Sequence, residues 1–211
     1  MARTIPSSKI SAWRFWLPLA LQILFILIIP TQAAYTLLLG KSVILQTIPV
    51  DPYDFLRGYS QTLRYEISRP QELRSLPGWS NLIATEESEQ TQGSLLVKVP
   101  FYVILEAPKA KANSDQRPTA WQPIAVSQTR PTNLPKNQVA IRGRMSGYRW
   151  VDYGLESYYF PETQREDINQ SIRQLQTEAQ GNQAFVVAVK VDGNGNAIPI
   201  SLWLGDRQYR F

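Results

Sequence analysis

Between Phe15 and Gly40 the chain carries no charged side chain, while Arg3, Lys9 and Arg14 precede the stretch and Lys41 follows it. An apolar run of roughly 20 residues is enough to cross a hydrocarbon core of about 30 Å. No later segment of the 211 residues approaches that length without a charge. The expectation is a cytoplasmic flank over 1–14, one transmembrane anchor over 15–40, and a domain over 41–211 that holds whatever chemistry the protein has. The Lys/Arg excess before the stretch places the N-terminus in the cytoplasm. The domain then lies on the periplasmic or extracytoplasmic side of a bilayer crossed once. A cleaved signal peptide is the alternative, because the apolar core Leu17 to Ile29 is followed by Thr31-Gln32-Ala33, with small residues at its ends. Against cleavage, the apolar character runs on through Tyr35 and Leu37 to Leu39. Pro18 and Pro30 sit near the ends of the span, where a helix in lipid tolerates them, and Trp13, Trp16 and Tyr35 fall at interfacial depths.

Composition removes whole classes of chemistry. There is no cysteine and no histidine, so disulfides, thiol nucleophiles, lipoprotein attachment, Ser-His-Asp catalysis, His-ligated haem and the common transition-metal sites are all excluded. No cofactor and no metal are expected. Of the 22 basic residues three belong to the N-terminal flank, and the remainder nearly balance 17 acidic ones. The balance is uneven: from Lys109 to Arg149 the basic residues include Lys136, Arg142 and Arg144, with Asp115 the lone acid. With Trp121, Tyr148 and Trp150 interleaved the run has the composition of a nucleic-acid surface, but the topology argues against such a partner. A solvated strand face, or one lying against anionic lipid head groups, is the simpler reading.

The domain reads as mainly β (α+β), one β-rich body with a single covering helix. Val43 to Ile48 is β-rich. Thr62 to Ile67 alternates Leu63, Tyr65 and Ile67 against polar residues, as a half-buried strand should. Leu95 to Leu105 alternates likewise, with Pro100 marking an edge strand or a bulge. Strands are also expected from Gln138 to Met145 and from Tyr148 to Tyr159. Loops are expected over Ser75 to Gly93 and Pro108 to Pro135, the latter holding a short apolar piece, Ile124 to Val126. A helix from Pro161 to Gly181 has proline at its start, Glu162, Glu166 and Asp167 near its positive end, and Ile168, Ile172, Leu175 and Ala179 at helical spacing. The chain closes with a hairpin, Ala184 to Val191 and Ala197 to Leu204.

Asp192, Asn194 and Asn196 imitate the first ligand positions of an EF-hand loop, but Ala197 stands at the turn glycine and Trp203 at the bidentate acid, so a hairpin turn explains them. Gly40-Lys41-Ser42 imitates the end of a phosphate-binding loop, but Tyr35 occupies the first glycine position. Asp51, Asp54 and Arg57 form the densest polar cluster. They can split acid and base roles on a substrate, or, more simply, tie a turn together. Glu156 and Glu162, flanking Tyr158-Tyr159-Phe160-Pro161, are a second carboxylate pair, with Glu162 also placed to serve the helix N-terminus.

Gly58-Tyr59-Ser60-Gln61-Thr62-Leu63-Arg64-Tyr65 resembles the signature of the GDYXXLXY family, membrane-anchored proteins found in bacteria including cyanobacteria. The preceding Pro49 to Arg57, the block Tyr153 to Glu162 and the block Val189 to Asn196 are similar to the family's other blocks and stand in the same order. Tyr59 and Ser60 depart from the signature's Asp and Tyr. The resemblance implies a binding role for Asp51, Asp54, Arg57, Gly58, Leu63, Tyr65, Glu156, Tyr158 and Glu162, and no established activity. It further implies an accessory protein that accompanies a multi-spanning membrane protein. The reading is therefore a non-enzymatic single-pass protein whose outer domain engages a membrane-protein partner or a small envelope ligand. A membrane-anchored hydrolase of Ser/Lys or carboxylate type is the alternative from another class, but Ser94 and Lys98, four apart on an extended strand, would lie about 13 Å apart. A module binding anionic lipid or polymer through the Lys109 to Arg149 run is the third.

Overall fold

A computed structural model describes residues 13–48, 60–82, 100–109, 118–146, 150–159, 167–168, 170–171 and 185–210. Its first element, α1 (Trp13–Leu39), is bent by 41° between Trp13–Ile28 and Pro30–Leu39. Pro30 supplies the cause, since it has no amide proton and its ring crowds the carbonyl one turn earlier. The Thr31 hydroxyl donates to the Leu27 carbonyl at 2.6 Å, a back-bond that also favours bending. Among the described residues no single helix is long and apolar enough to cross a membrane, and the two arms reach that length and composition only together. Large apolar side chains along α1, such as Phe15, Leu24, Phe25 and Leu38, are exposed.

One residue, Gly40, separates α1 from β1 (Lys41–Gln46). That strand opens a four-stranded antiparallel sheet with β8 (Phe185–Val191), β9 (Ala197–Leu204) and β10 (Arg207–Arg210), in the order β1-β8-β9-β10. A second antiparallel sheet has the order β4-β3-β5-β6, made of β3 (Pro100–Glu106), β4 (Gln122–Ser127), β5 (Gln138–Ser146) and β6 (Trp150–Asp152). A short pair, β2 (Ser60–Thr62) with β7 (Ser157–Tyr159), completes the strands among the described residues. Inward residues alternate along these strands as a two-layer core requires: Val43 and Leu45 on β1, Phe101, Val103 and Leu105 on β3, and Val139 and Ile141 on β5 are all buried in one cluster. The two sheets are joined where the Trp121 amide donates to the Ile44 carbonyl and the Arg142 amide to that of Gly195. The Lys41 ammonium adds a clasp, donating to the Lys136 carbonyl and lying 5.4 Å from the Trp121 ring centre, and burial lowers its pKa.

The mainly-β reading holds, with five local corrections. Thr62 to Ile67 is not one strand. After Thr62 the chain makes a single bridge at Tyr65 and enters a 3-10 turn at Glu66–Ser68, because Pro70 starts the short helix α2 (Pro70–Arg74) and forces an early departure from the sheet. The strand around Pro100 is interior rather than an edge: proline is tolerated as the first residue of β3, and β4 pairs only from Tyr102 onward. The bulge lies instead at Ile104/Leu105, where Ile124 of β4 is the extra residue. The apolar piece within Pro108 to Pro135 is therefore strand β4, and the beginning of the Ser75 to Gly93 loop packs Trp79 into the core. Tyr148 to Tyr159 divides into β6 and β7 at Gly154, whose φ of 74° ends any strand. Lastly, β10 follows the hairpin and adds a strand the alternation did not announce.

The expected helix over 161–181 falls largely outside the described residues. Those within it, Asp167, Ile168, Gln170 and Ser171, are helical, with Ile168 and Ser171 buried. The part of the Leu95 to Leu105 strand before Pro100 also lies outside.

Candidate functional site

The hairpin between β8 and β9 is drawn tight by one carboxylate. Asp192 Oδ1 accepts the backbone amides of Asn194 at 2.8 Å and Asn196 at 3.0 Å. Its Oδ2 accepts the Asn196 side-chain amide at 3.1 Å and the Thr36 hydroxyl of α1 at 2.8 Å. Burial acts to raise the Asp192 pKa, but these hydrogen bonds outweigh it and hold the pKa below the ordinary carboxylate value. Both oxygens of the carboxylate at the first EF-hand-like position are thus taken by the chain's own donors.

Gly195, at φ 84°, turns this loop onto β5. A Cβ there would stand 3.0 Å from the Tyr102 ring and 3.1 Å from the Arg142 nitrogen, so only glycine lets the loop approach this closely. The far side of the same loop forms one wall of a cleft of about 890 Å³. Arg142 and Arg144 enter it from the outward face of β5, where residues two apart project together. Arg64 reaches it from the segment after β2, its guanidinium carbon 3.9 Å from the ring centre of Trp150, the first residue of β6. Asp152 and Glu156 are the cleft's carboxylates.

Neither carboxylate forms an ion pair with these arginines among the described residues, where the salt bridge seen is Arg207–Asp167 at 3.4 Å. Glu156 Oε1 instead accepts the Tyr153 amide at 2.5 Å, closing the turn around Gly154. Asp152 stands opposite Arg144 in the strand register. The Nε of Arg142 is buried and nothing among the described residues accepts its proton.

Behind the cleft two tyrosines brace its floor. Tyr65, fully buried, donates to the Leu155 carbonyl at 3.0 Å, and Tyr153 donates to the Ile67 carbonyl at 2.7 Å. Burial first, and the neighbouring Glu156 second, push the Tyr153 phenol well above its ordinary pKa, so it stays a neutral donor. Gly143 makes room for that ring: a Cβ there would be 2.9 Å from Tyr153 Cε1.

Of the residues singled out in the sequence, Leu63 and Tyr65 are core residues that fasten the signature to the Tyr153 block, with the Leu63 amide donating to the Glu156 carbonyl at 2.8 Å. Tyr158 pairs with Gln61 in the β2–β7 ladder. Glu156 lines the cleft. Asp51, Asp54, Arg57, Gly58 and Glu162 lie outside the described residues. Sequence reasoning placed Arg142 and Arg144 in a basic run but missed their convergence with Arg64 and the stacking on Trp150. The period-two spacing of the two β5 arginines was the available signal. The contact with Arg64 depends on tertiary packing and left none.

No curated protein and no solved structure matches the chain. The family model described as GDYXXLXY protein matches residues 22–202, a span that runs from the middle of α1 through the signature, the cleft and the Asp192 hairpin to β9. The chain belongs to the GDYXXLXY family.

Proposed function

We propose that this protein is a single-pass membrane-anchored accessory protein, its outer domain held in fixed orientation on the anchor so as to engage a membrane-protein partner, and that it binds rather than reacts. The observation that carries this reading is the joint between α1 and the sheet. Thr36, one turn before the end of α1, is buried and hydrogen-bonded to Asp192. Gly40 donates to the Thr36 carbonyl at 2.9 Å and accepts the Lys190 ammonium at 3.0 Å. A Cβ at Gly40 would be driven into the Thr36 carbonyl oxygen.

A domain that only needs to stay near a membrane is served by a flexible linker. Here helix becomes strand across one residue, whose amide and carbonyl are both hydrogen-bonded. Such a junction transmits the orientation of the helix to the domain. The exposed apolar side chains of α1 need lipid or another helix to cover them, and the basic residues before it set the cytoplasmic end.

The test is affinity purification of the C-terminally tagged full chain in mild detergent, compared with a variant whose residues 13–35 are replaced by an unrelated span that leaves Thr36 to Lys41 intact. A stoichiometric membrane protein that is lost with the foreign span supports the reading and puts the contact in the bilayer. Recovery of the chain alone from both samples would sink it.

A further inference from the structure

The arginine cleft holds donors that the described residues leave unused. Among the described residues Arg142 Nε is buried and unpartnered, Arg144 lies on the same face of β5 without an ion pair, and the Arg64 guanidinium carbon lies 3.9 Å from the Trp150 ring centre. Three guanidiniums stand against two carboxylates, one of which already serves the Tyr153 amide. A buried donor left without an acceptor destabilises the fold until something answers it. The Arg142 guanidinium that carries this donor lines the open cleft beside Arg64 and Arg144. Guanidinium forks match oxyanions in geometry and charge.

The cleft also has a definite position relative to the helix. Asn196, on its wall, shares the Asp192 carboxylate with Thr36, so one side chain separates the cleft from the last turn of α1. If α1 is the anchor, as proposed above, the cleft lies at head-group depth, where indole rings and basic side chains meet lipid phosphates.

We infer that this cleft binds a net-anionic phosphate ester, with Arg64, Arg142 and Arg144 on the phosphate and Trp150 fixing the orientation of Arg64. The same chemistry is offered by the head group of an anionic phospholipid and by a soluble phosphate ester. A volume of about 890 Å³ is ample for a glycerol phosphate. Asp152 supplies an acceptor for a hydroxyl beside it. The inference rests on the anchored reading only for the lipid source.

The experiment uses the full chain in mild detergent. Native mass spectrometry measures retention of phosphatidylglycerol against phosphatidylcholine, and thermal shift measures stabilisation by glycerol 3-phosphate and by inorganic phosphate. Both are repeated on the Arg64→Gln/Arg142→Gln double variant and on Arg144→Gln, whose exposed side chain can be removed without disturbing the fold. Selective retention of phosphatidylglycerol, weakened on the order of tenfold or more in the variants, supports the lipid source if the soluble phosphates give no shift. A shift with glycerol 3-phosphate that competes with the lipid supports the soluble source. Equal retention of both lipids with no shift overturns the inference, as does retention unchanged in both variants. Loss of the protein partner with phosphate binding intact would strike only the accessory reading, and the converse result only this one.

Discussion

The Asp192 hairpin and the arginine cleft share a wall, yet they treat polar groups in opposite ways. In the hairpin one carboxylate takes four donors, three from its own loop and one from α1. In the cleft three arginines face outward with no carboxylate paired to them among the described residues, one with a buried and unanswered Nε. A saturated cluster has nothing left to offer a ligand and serves the fold. An unsaturated one costs stability and leaves donors that a ligand can take up. The contrast separates the structural role of Asp192, Asn194 and Asn196 from the binding role assigned to Arg64, Arg142 and Arg144, although the first group has the more metal-like spacing in the sequence.

The largest effect is expected at the saturated side. Asp192→Ala strips the loop donors of their shared acceptor and leaves the buried Thr36 hydroxyl only the Gln32 carbonyl, 3.1 Å away, and should cost about 3 kcal/mol, as removal of a charged acceptor with several partners does. Thermal or denaturant unfolding of the full chain in detergent measures it, and a loss under 1 kcal/mol would show that the hairpin does not depend on its carboxylate. The same residue gives a pH test. Its folded pKa is depressed, so its contribution is complete above the unfolded value of about 3.9 and is lost as pH falls through the lower folded value. The stability gap between wild type and Asp192→Ala should therefore shrink below about pH 4 and stay level above pH 5. A gap that widens on acidification would contradict the assignment.

Gly40→Ala comes next, at about 2 kcal/mol, because the added methyl must displace the Thr36 carbonyl at a joint with one connecting residue. Its signature is shared with Asp192→Ala: a double-mutant cycle should show coupling, since both changes loosen the same end of α1. Strict additivity would mean that the glycine and the carboxylate hold different things. Tyr153→Phe removes the hydrogen bond to the Ile67 carbonyl and leaves the ring in place, at about 1 kcal/mol. An undiminished unfolding midpoint would show that water replaces the phenol.

How much of this was legible depended on how local each feature is. The β8–β9 hairpin could be read from the sequence because Asp192-Gly193-Asn194-Gly195-Asn196 is turn chemistry between two apolar runs, and β5 because Val139, Ile141 and Gly143 alternate inward with nothing to interrupt them. Strand β4 was hidden because Pro123 and the bulge at Ile124 break its period. Strand β10 was hidden because Arg-Gln-Tyr-Arg has one apolar residue and joins the sheet only through β9. The break between β6 and β7 was marked by Gly154, a punctuation that the surrounding aromatic and β-branched residues outweighed in the reading. The joint lay beyond reach: Thr36 and Asp192 are 156 positions apart, and nothing in either neighbourhood marks its partner. The cleft was half legible. The β5 arginines announce a shared face by their spacing, whereas Arg64 sits in a signature whose Leu63 and Tyr65 turn inward to the core, and its position over Trp150 follows from that burial.

Arg144→Gln is the smallest change in stability and the sharpest test of the contrast. The side chain is exposed, has no ion pair among the described residues, and stands opposite Asp152 on a face that β3 and β6 already order. Surface substitutions of this kind usually shift stability by less than about 0.5 kcal/mol. Removing one of three guanidiniums from an oxyanion site should nevertheless weaken phosphate-ester binding on the order of tenfold and flatten its salt dependence. Stability unchanged and binding reduced would place Arg144 on the side of the molecule built for a ligand. If instead the unfolding midpoint falls as far as for Tyr153→Phe while binding is untouched, Arg144 belongs with the saturated hairpin, and the division between the two regions would have to be redrawn around Arg64 and Arg142 alone.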